Sequence, residues 1–247
     1  MHVSDCIERP SLGDVQRLLW RAVRRQPLPD GYEQVFCVPQ GANLEERLVL
    51  YRDMYWNRQI GALLELLPDT CELVGLAAFT PMLVDALSAL PSVHPAMEQL
   101  PARILPHIAQ HGTLSGHALC VLRFEVAMLN ALVAPTPERP LTELPGDADS
   151  LQRVRFALIP GASVAEAPEG DTIRLVGRSG ERAAWWTIQR GDALLLERMR
   201  GGATLEVLCK AAASDGTTTA EQAMSHVATL LMMLLREHLL CEEGASA

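Results

Sequence analysis

Lysine is almost missing from this chain. Lys210 is the single one, and arginine supplies the rest of its 21 basic residues, against 30 acidic ones and a net charge of −9. That deficit of positive charge disfavours nonspecific nucleic-acid binding, which depends on neutralising phosphates. Aromatic residues are scarce as well, at 4%. Long apolar runs are missing: the most apolar stretch, 228–235, is far too short to span a bilayer and is bounded by His226 and Arg236. The opening MHVSDCIERP has no apolar core of the kind a signal peptide carries. A soluble, cytoplasmic protein is the expectation. Paired cysteines are missing too. Cys6, Cys37, Cys71, Cys120, Cys209 and Cys241 are scattered, with no CxxC, so reduced thiols are expected, several of them buried as small hydrophobes. There is no P-loop, no GxGxxG, no GxSxG turn and no HExxH. A freestanding catalytic site is therefore not expected.

What the chain does have is apolar mass in helical spacing. Its 247 residues are 49% hydrophobic, enough for one large or two small domains. Ser11 can cap a helix carrying Val15, Leu18, Leu19, Ala22 and Val23, ended by Pro27 and Pro29. Residues 27–43 read as irregular. Asn43 can cap the next helix, with Glu45 and Glu46 in its first turn, where acids suit the helix dipole. Leu48, Tyr51, Tyr55, Ala62 and Leu63 share a broad face of that helix, and Pro68 marks its end. A short helix capped by Asp69 and ended by Gly75 follows, then one to Leu90 with Pro81 in its first turn behind Thr80. The segment 96–110 reads as helix interrupted by Pro101 and Pro106. Residues 114–133 form a strong helix with Leu119, Leu122, Val126 and Leu129 on one face.

The composition then shifts. APTPERPLTELPGDADS (134–150) is rich in proline and acid and reads as a linker. Three strand-like runs come next, VRFALI (154–159), TIRLVG (172–177) and AAWWTIQ (183–189), with SGE at 179–181 as a hairpin turn. Helices return at 191–200, 204–213 and 218–240, broken at Gly201 and Gly202. The expected fold is α+β. An all-helical domain (1–135) leads through a linker (136–152) to a small domain (153–247) with a short antiparallel sheet and helices.

Several constellations bear on function. His107 and His111 lie one helical turn apart and His117 follows, a weak metal signal, since no Glu follows His107 as a hydrolase would need. Trp185 and Trp186 are adjacent, so on a strand they face opposite sides: one in the core and one on a surface, or both buried under helices. Arg52, Tyr55, Trp56 and Arg58 crowd two turns of one helix and are residue types enriched at interface hot spots. Trp56 and Arg58 are expected to face a partner, with Tyr51 in the core. VRFALIP is the candidate open sheet edge for an extended peptide, placing Arg155, Phe156, Ala157, Leu158 and Ile159 at the contact beside Trp185 and Trp186. Arg155, on the other face of that strand from Phe156 and Leu158, is placed to meet acidic side chains of such a peptide. The competing reading is a DNA-binding regulator. WRAVRRQ (20–26) is one short basic cluster, and the helices at 191–213 have the outline of a helix-turn-helix with little base-reading chemistry.

ERLVLYRDMYWNRQIGALLELLPDTCELVGLAAF resembles the signature of the HvfC/BufC N-terminal domain family, long labelled DNA-binding, whose relatives include the TglI-like accessory subunits. The matching elements are Arg47, Tyr51, Arg52, Leu63, Leu67, Pro68, Leu73, Gly75 and Phe79, then Pro91, Ser92 and the apolar run 100–108. LRFEVAML keeps Glu125 in register with the family's Leu-Glu-Trp, and GGATLEVLCKAAA (201–213) resembles its C-terminal part. Asp53 and Met54 stand where the family has an Asn pair, and Val126 where it has Trp. The resemblance covers most of residues 44–240. It implies a non-catalytic subunit that binds a ribosomally made precursor peptide and presents its cysteine to a multinuclear non-haem iron enzyme with a TIM-barrel fold. The implied assembly is a heterodimer, with the iron in the partner, no metal ligand or catalytic residue in this chain, and neither nucleic acid nor membrane as a partner.

Overall fold

The computed structural model describes residues 10–24, 26–36, 43–90, 97–214 and 218–243. Pro91, Ser92, Cys6 and Cys37 lie outside the described residues. The fold is α+β, with helices first and a small antiparallel sheet region among helices at the C-terminal end.

The helical layer begins with α1 (Leu12–Val23), held at its start by a capping box between Ser11 and Asp14. The next helix, α2 (Leu44–Leu66), starts on the Asn43 side chain, which accepts from the N–H groups of Glu45 and Glu46. Pro68 ends it as expected. The following helix, α3 (Pro68–Val74), has Leu67 at its cap position rather than Asp69, so its own sequence supplies no side-chain cap. Helix α4 (Leu76–Ala89) starts four residues before the Thr80–Pro81 pair, and Pro81 lies inside it. Helix α5 (Leu100–His111) runs through Pro106 without a break, and Pro101 sits in its first turn, where a missing N–H costs nothing. Helix α6 (Gly116–Val133) is capped by Ser115. Leu63, Leu67, Phe79, Leu83, Leu100, Ile104 and Leu122 are fully buried where these helices meet.

A short helix, α7 (Ala148–Arg153), precedes five strands and three helices: β1 (Phe156–Leu158), β2 (Ser163–Glu166), β3 (Ile173–Ser179), β4 (Arg182–Ile188), α8 (Arg190–Met199), α9 (Leu205–Ala212), α10 (Ala220–Arg236) and β5 (Leu240–Glu242). β2, β3 and β4 form one antiparallel sheet in that order, and β1 pairs with β5 in another. The last helix ends at Arg236 rather than 240. His238 takes a positive φ of 58°, and the chain turns back as β5.

Helix α6 joins the two layers. Leu122 and Val126 belong to the helical core, while Ala127 and Ala131 pack against Val176 of the sheet. Among the described residues it is the one helix long and apolar enough to cross a membrane, and here it lies between helices and sheet. The opposite sheet face, with Leu175 and Ile188, packs on α8 and α10 through Leu195, Leu196 and Leu231. The 134–150 segment is tied to this layer. Leu141 N–H donates to Leu240 O at 3.0 Å, and Arg178 donates to Ala134 O and Thr136 Oγ1.

Gly161, in the β1–β2 turn, is where the sheet layer presses on the end of α6. Its φ is 81°, and a Cβ there would lie 2.5 Å from Ala134 Cβ and 2.7 Å from Asn130 O. Gly161→Ala should cost about 2–3 kcal/mol, combining left-handed strain with a clash against backbone. Gly170 has a φ of 79° but open space around it. Gly170→Ala should cost only about 1 kcal/mol. Urea unfolding of the two variants checks the difference, and equal costs would mean this contact carries no packing energy.

Candidate functional site

The three-stranded sheet has two edges, and they differ. Ala167 N–H donates to Thr172 O at 2.8 Å, which fixes the alternation along β3. Thr172, Arg174 and Val176 bond towards β2, while Ile173, Leu175, Gly177 and Ser179 bond towards β4. Their β4 partners are Ile188, Trp186, Ala184 and Arg182. The N–H and C=O groups of Ala183, Trp185 and Thr187 therefore point away from the sheet. Among the described residues no other segment hydrogen-bonds to them. The opposite edge, β2, is four residues long and lies against α6, with Cys120 Sγ at 3.6 and 3.4 Å from Glu166 O and Ala167 O.

The turn at 179–181 sets this register. Ser179 faces Arg182 across two residues, and Gly180 takes a φ of 63°. On β4, Trp186 packs towards the C-terminal core while Trp185 stays 44% exposed on the opposite face. The open alternative in the sequence thus resolves to one Trp towards the core and one on the surface. Trp185 is held in place from beneath: the Arg174 guanidinium stacks 3.7 Å from its ring centroid and 5.2 Å from that of Phe124. Glu169 binds the same guanidinium at 2.6 Å. A planar cation between two rings, anchored by a carboxylate, gives an exposed aromatic surface with a fixed orientation.

The segment expected to be the open edge is not one. Phe156, Ala157, Leu158 and Ile159 are all buried. Phe156 exchanges both backbone hydrogen bonds with Ala203 at 2.9 Å on one side, and β5 pairs along the other. The far side of β5 is closed in turn by Arg139 and Leu141. Arg155 is taken up by its own chain, binding Glu243 and donating to Gly201 O and Gly202 O. The sequence missed this because β2 and β5 are short and unpatterned, so nothing announced a partner for β1. The signal that finds the open edge is the long β3–β4 hairpin, whose second strand has no successor.

The α2 cluster is also rearranged from the expectation. Trp56 Nε1 donates to Val23 O at 3.0 Å, and Tyr55 stands edge-on to both Trp20 and Trp56. These rings clamp α1 onto α2. Burial pushes the Tyr55 phenol above its ordinary pKa. Arg52 pairs with its neighbour Asp53. Arg58 is exposed as expected, but Tyr51 is 47% exposed rather than in the core. The reason is that α1 needs the Trp56 side of the helix. Between α1, α2 and α4 lies a cleft of about 390 Å³ lined by Trp20, Arg24, Tyr55, Gln59 and Leu87.

His107 Nε2 lies 2.8 Å from Asp85, with the His111 ring 4.7 Å from that of His107. His117 is exposed on α6. Among the described residues no three His, Cys, Asp or Glu side chains converge to hold a metal ion. Burial pushes the Cys120, Cys209 and Cys241 thiols up, the opposite of what a reactive thiolate requires.

Glu125 carries a different role. Its carboxylate, buried in α6, accepts from the N–H of Asp69 at 2.7 Å, the N–H of Thr70 at 3.0 Å and the Thr70 hydroxyl. It caps α3, which Leu67 cannot do. Burial pushes this carboxyl above the ordinary range, and those three hydrogen bonds pull it back in part.

No family model matches the chain, and no curated protein matches it.

Proposed function

We propose that this chain is a non-catalytic, cytoplasmic subunit that binds a ribosomally made precursor peptide and presents its cysteine to a multinuclear iron enzyme. The observation that carries the reading is the open β4 edge with Trp185 fixed beside it. An extended peptide pairing there gains main-chain hydrogen bonds with little demand on its sequence, and side-chain contacts then select among peptides. The resemblance of residues 44–240 to the HvfC/BufC family supplies the partner. In this reading the iron belongs to that enzyme, and no residue of this chain is assigned to it. Two residues of the resemblance, Leu73 and Gly75, are exposed at the α3–α4 elbow next to exposed Leu76. With Arg58, they are the surface assigned to the partner.

Co-expression with a multinuclear iron enzyme of the kind the resemblance implies and a short cysteine-bearing precursor tests the reading. The chain should co-elute with the enzyme in size exclusion, and Leu73→Glu/Leu76→Glu should separate them by weakening binding about 100-fold. Separate elution of the unaltered chain would count against the assignment.

A further inference from the structure

The charge around the open edge is opposite in sign to the net charge of the chain. Residues 173–190 contain four arginines, Arg174, Arg178, Arg182 and Arg190, and one acid, Glu181, a net +3 in a chain of −9. Arg174 is neutralised by Glu169. Arg178 donates to Ala134 O and Thr136 Oγ1, neither of which carries a charge. Arg182 and Arg190 are exposed and have no ion-pair partner among the described residues. The nearest acid after Arg190 is Asp192, whose carboxylate is taken up by Gln189 N–H and His226.

β4 also lacks the devices by which edge strands avoid pairing. It has no proline, no lysine and no charge between Arg182 and Arg190, and its seven residues pair with β3 in unbroken register. A strand left in that condition, with one exposed arginine at its start and another at the first residue of α8 just past its end, backbone positions roughly 25 Å apart at about 3.3 Å per residue, is complementary to a particular kind of chain. We propose that the β4 edge takes an acidic peptide in extended conformation. Its backbone pairs with Ala183, Trp185 and Thr187, one apolar side chain lies over Trp185, and its carboxylates sit towards Arg182 and Arg190. This rests on the peptide-binding reading above and names the chemistry of the peptide. A second copy of this chain is the rival occupant. It would bring more arginine to an arginine-bracketed edge, which is why the acidic peptide is favoured.

Three fluorescein-labelled nine-residue peptides test it. All alternate valine and threonine, and they carry glutamate, glutamine or lysine near both ends. Anisotropy at low salt should show the glutamate peptide binding at least about tenfold more tightly than the glutamine one, with the lysine peptide weakest. Arg182→Glu/Arg190→Glu should invert the order of the glutamate and lysine peptides. Equal affinity for all three overturns the acidic preference. Binding of none of them overturns the proposal, and self-association that Thr187→Pro abolishes would assign the edge to a second copy. No iron enzyme enters this assay, so its failure is separate from a failure of co-elution.

Discussion

Replacing Glu125 with alanine should destabilise the protein by about 3 kcal/mol, a loss of roughly 6–12 °C in Tm for a chain of this size. Among the described residues the carboxylate is the one group that satisfies the N–H groups of Asp69 and Thr70 at the start of α3, and it holds the buried Thr70 hydroxyl as well. Removing it leaves the buried N–H and hydroxyl of Thr70 without an acceptor and opens space in the core. Glu125→Gln keeps one acceptor oxygen and should cost about 1–2 kcal/mol. The two variants also separate in pH. A carboxyl whose pKa is raised on folding binds protons more tightly in the folded state. Its effect on stability is therefore a fall as pH rises from the ordinary glutamate value to the raised one, and a plateau above. Urea midpoints across that window should show the fall in the parent and not in Glu125→Gln. Identical profiles would mean Glu125 does not titrate in the folded protein.

The second large effect is on binding. Thr187→Pro should weaken peptide binding at least about 30-fold while changing stability by less than about 1 kcal/mol. Its N–H points away from β3, so proline removes a donor that only an added strand uses. Ala157→Pro is the contrasting variant. Ile159 donates to Leu239 O and Glu243 donates to Arg155 O, which places Ala157 and Cys241 in a bonded pair between them. Proline there removes a buried ladder bond and should cost about 3 kcal/mol or more. Calorimetry with the glutamate peptide, alongside thermal melts, distinguishes the two. Undiminished binding by Thr187→Pro would move the site off β4.

How much of this was legible in sequence differs by element. Ser11 and Asn43 are caps recognisable from a few neighbouring residues, and both helices begin where those residues place them. The hairpin around Gly180 was legible for the same reason. The α4 start was misread because Thr80–Pro81 imitates a cap, whereas Gly75 starts the helix through its backbone alone. β5 was missed, with its first residue Leu240 read as the end of the last helix, because its strand geometry comes from pairing with β1, more than 80 residues away in sequence. The site followed the same rule. That Trp185 and Trp186 face opposite ways is a property of one strand. Which strand is left open depends on every other pairing. The Glu125 cap is equally non-local, since its donors lie 55 and 56 residues earlier.

The most direct measurement is the mass of a cysteine-bearing precursor incubated with the iron enzyme and oxygen, with and without this chain. The account predicts a mass change with the complete pair, none when either protein is omitted, and a greatly reduced change with Thr187→Pro. Modification at full rate by the iron enzyme alone, or undiminished modification with Thr187→Pro, would contradict it.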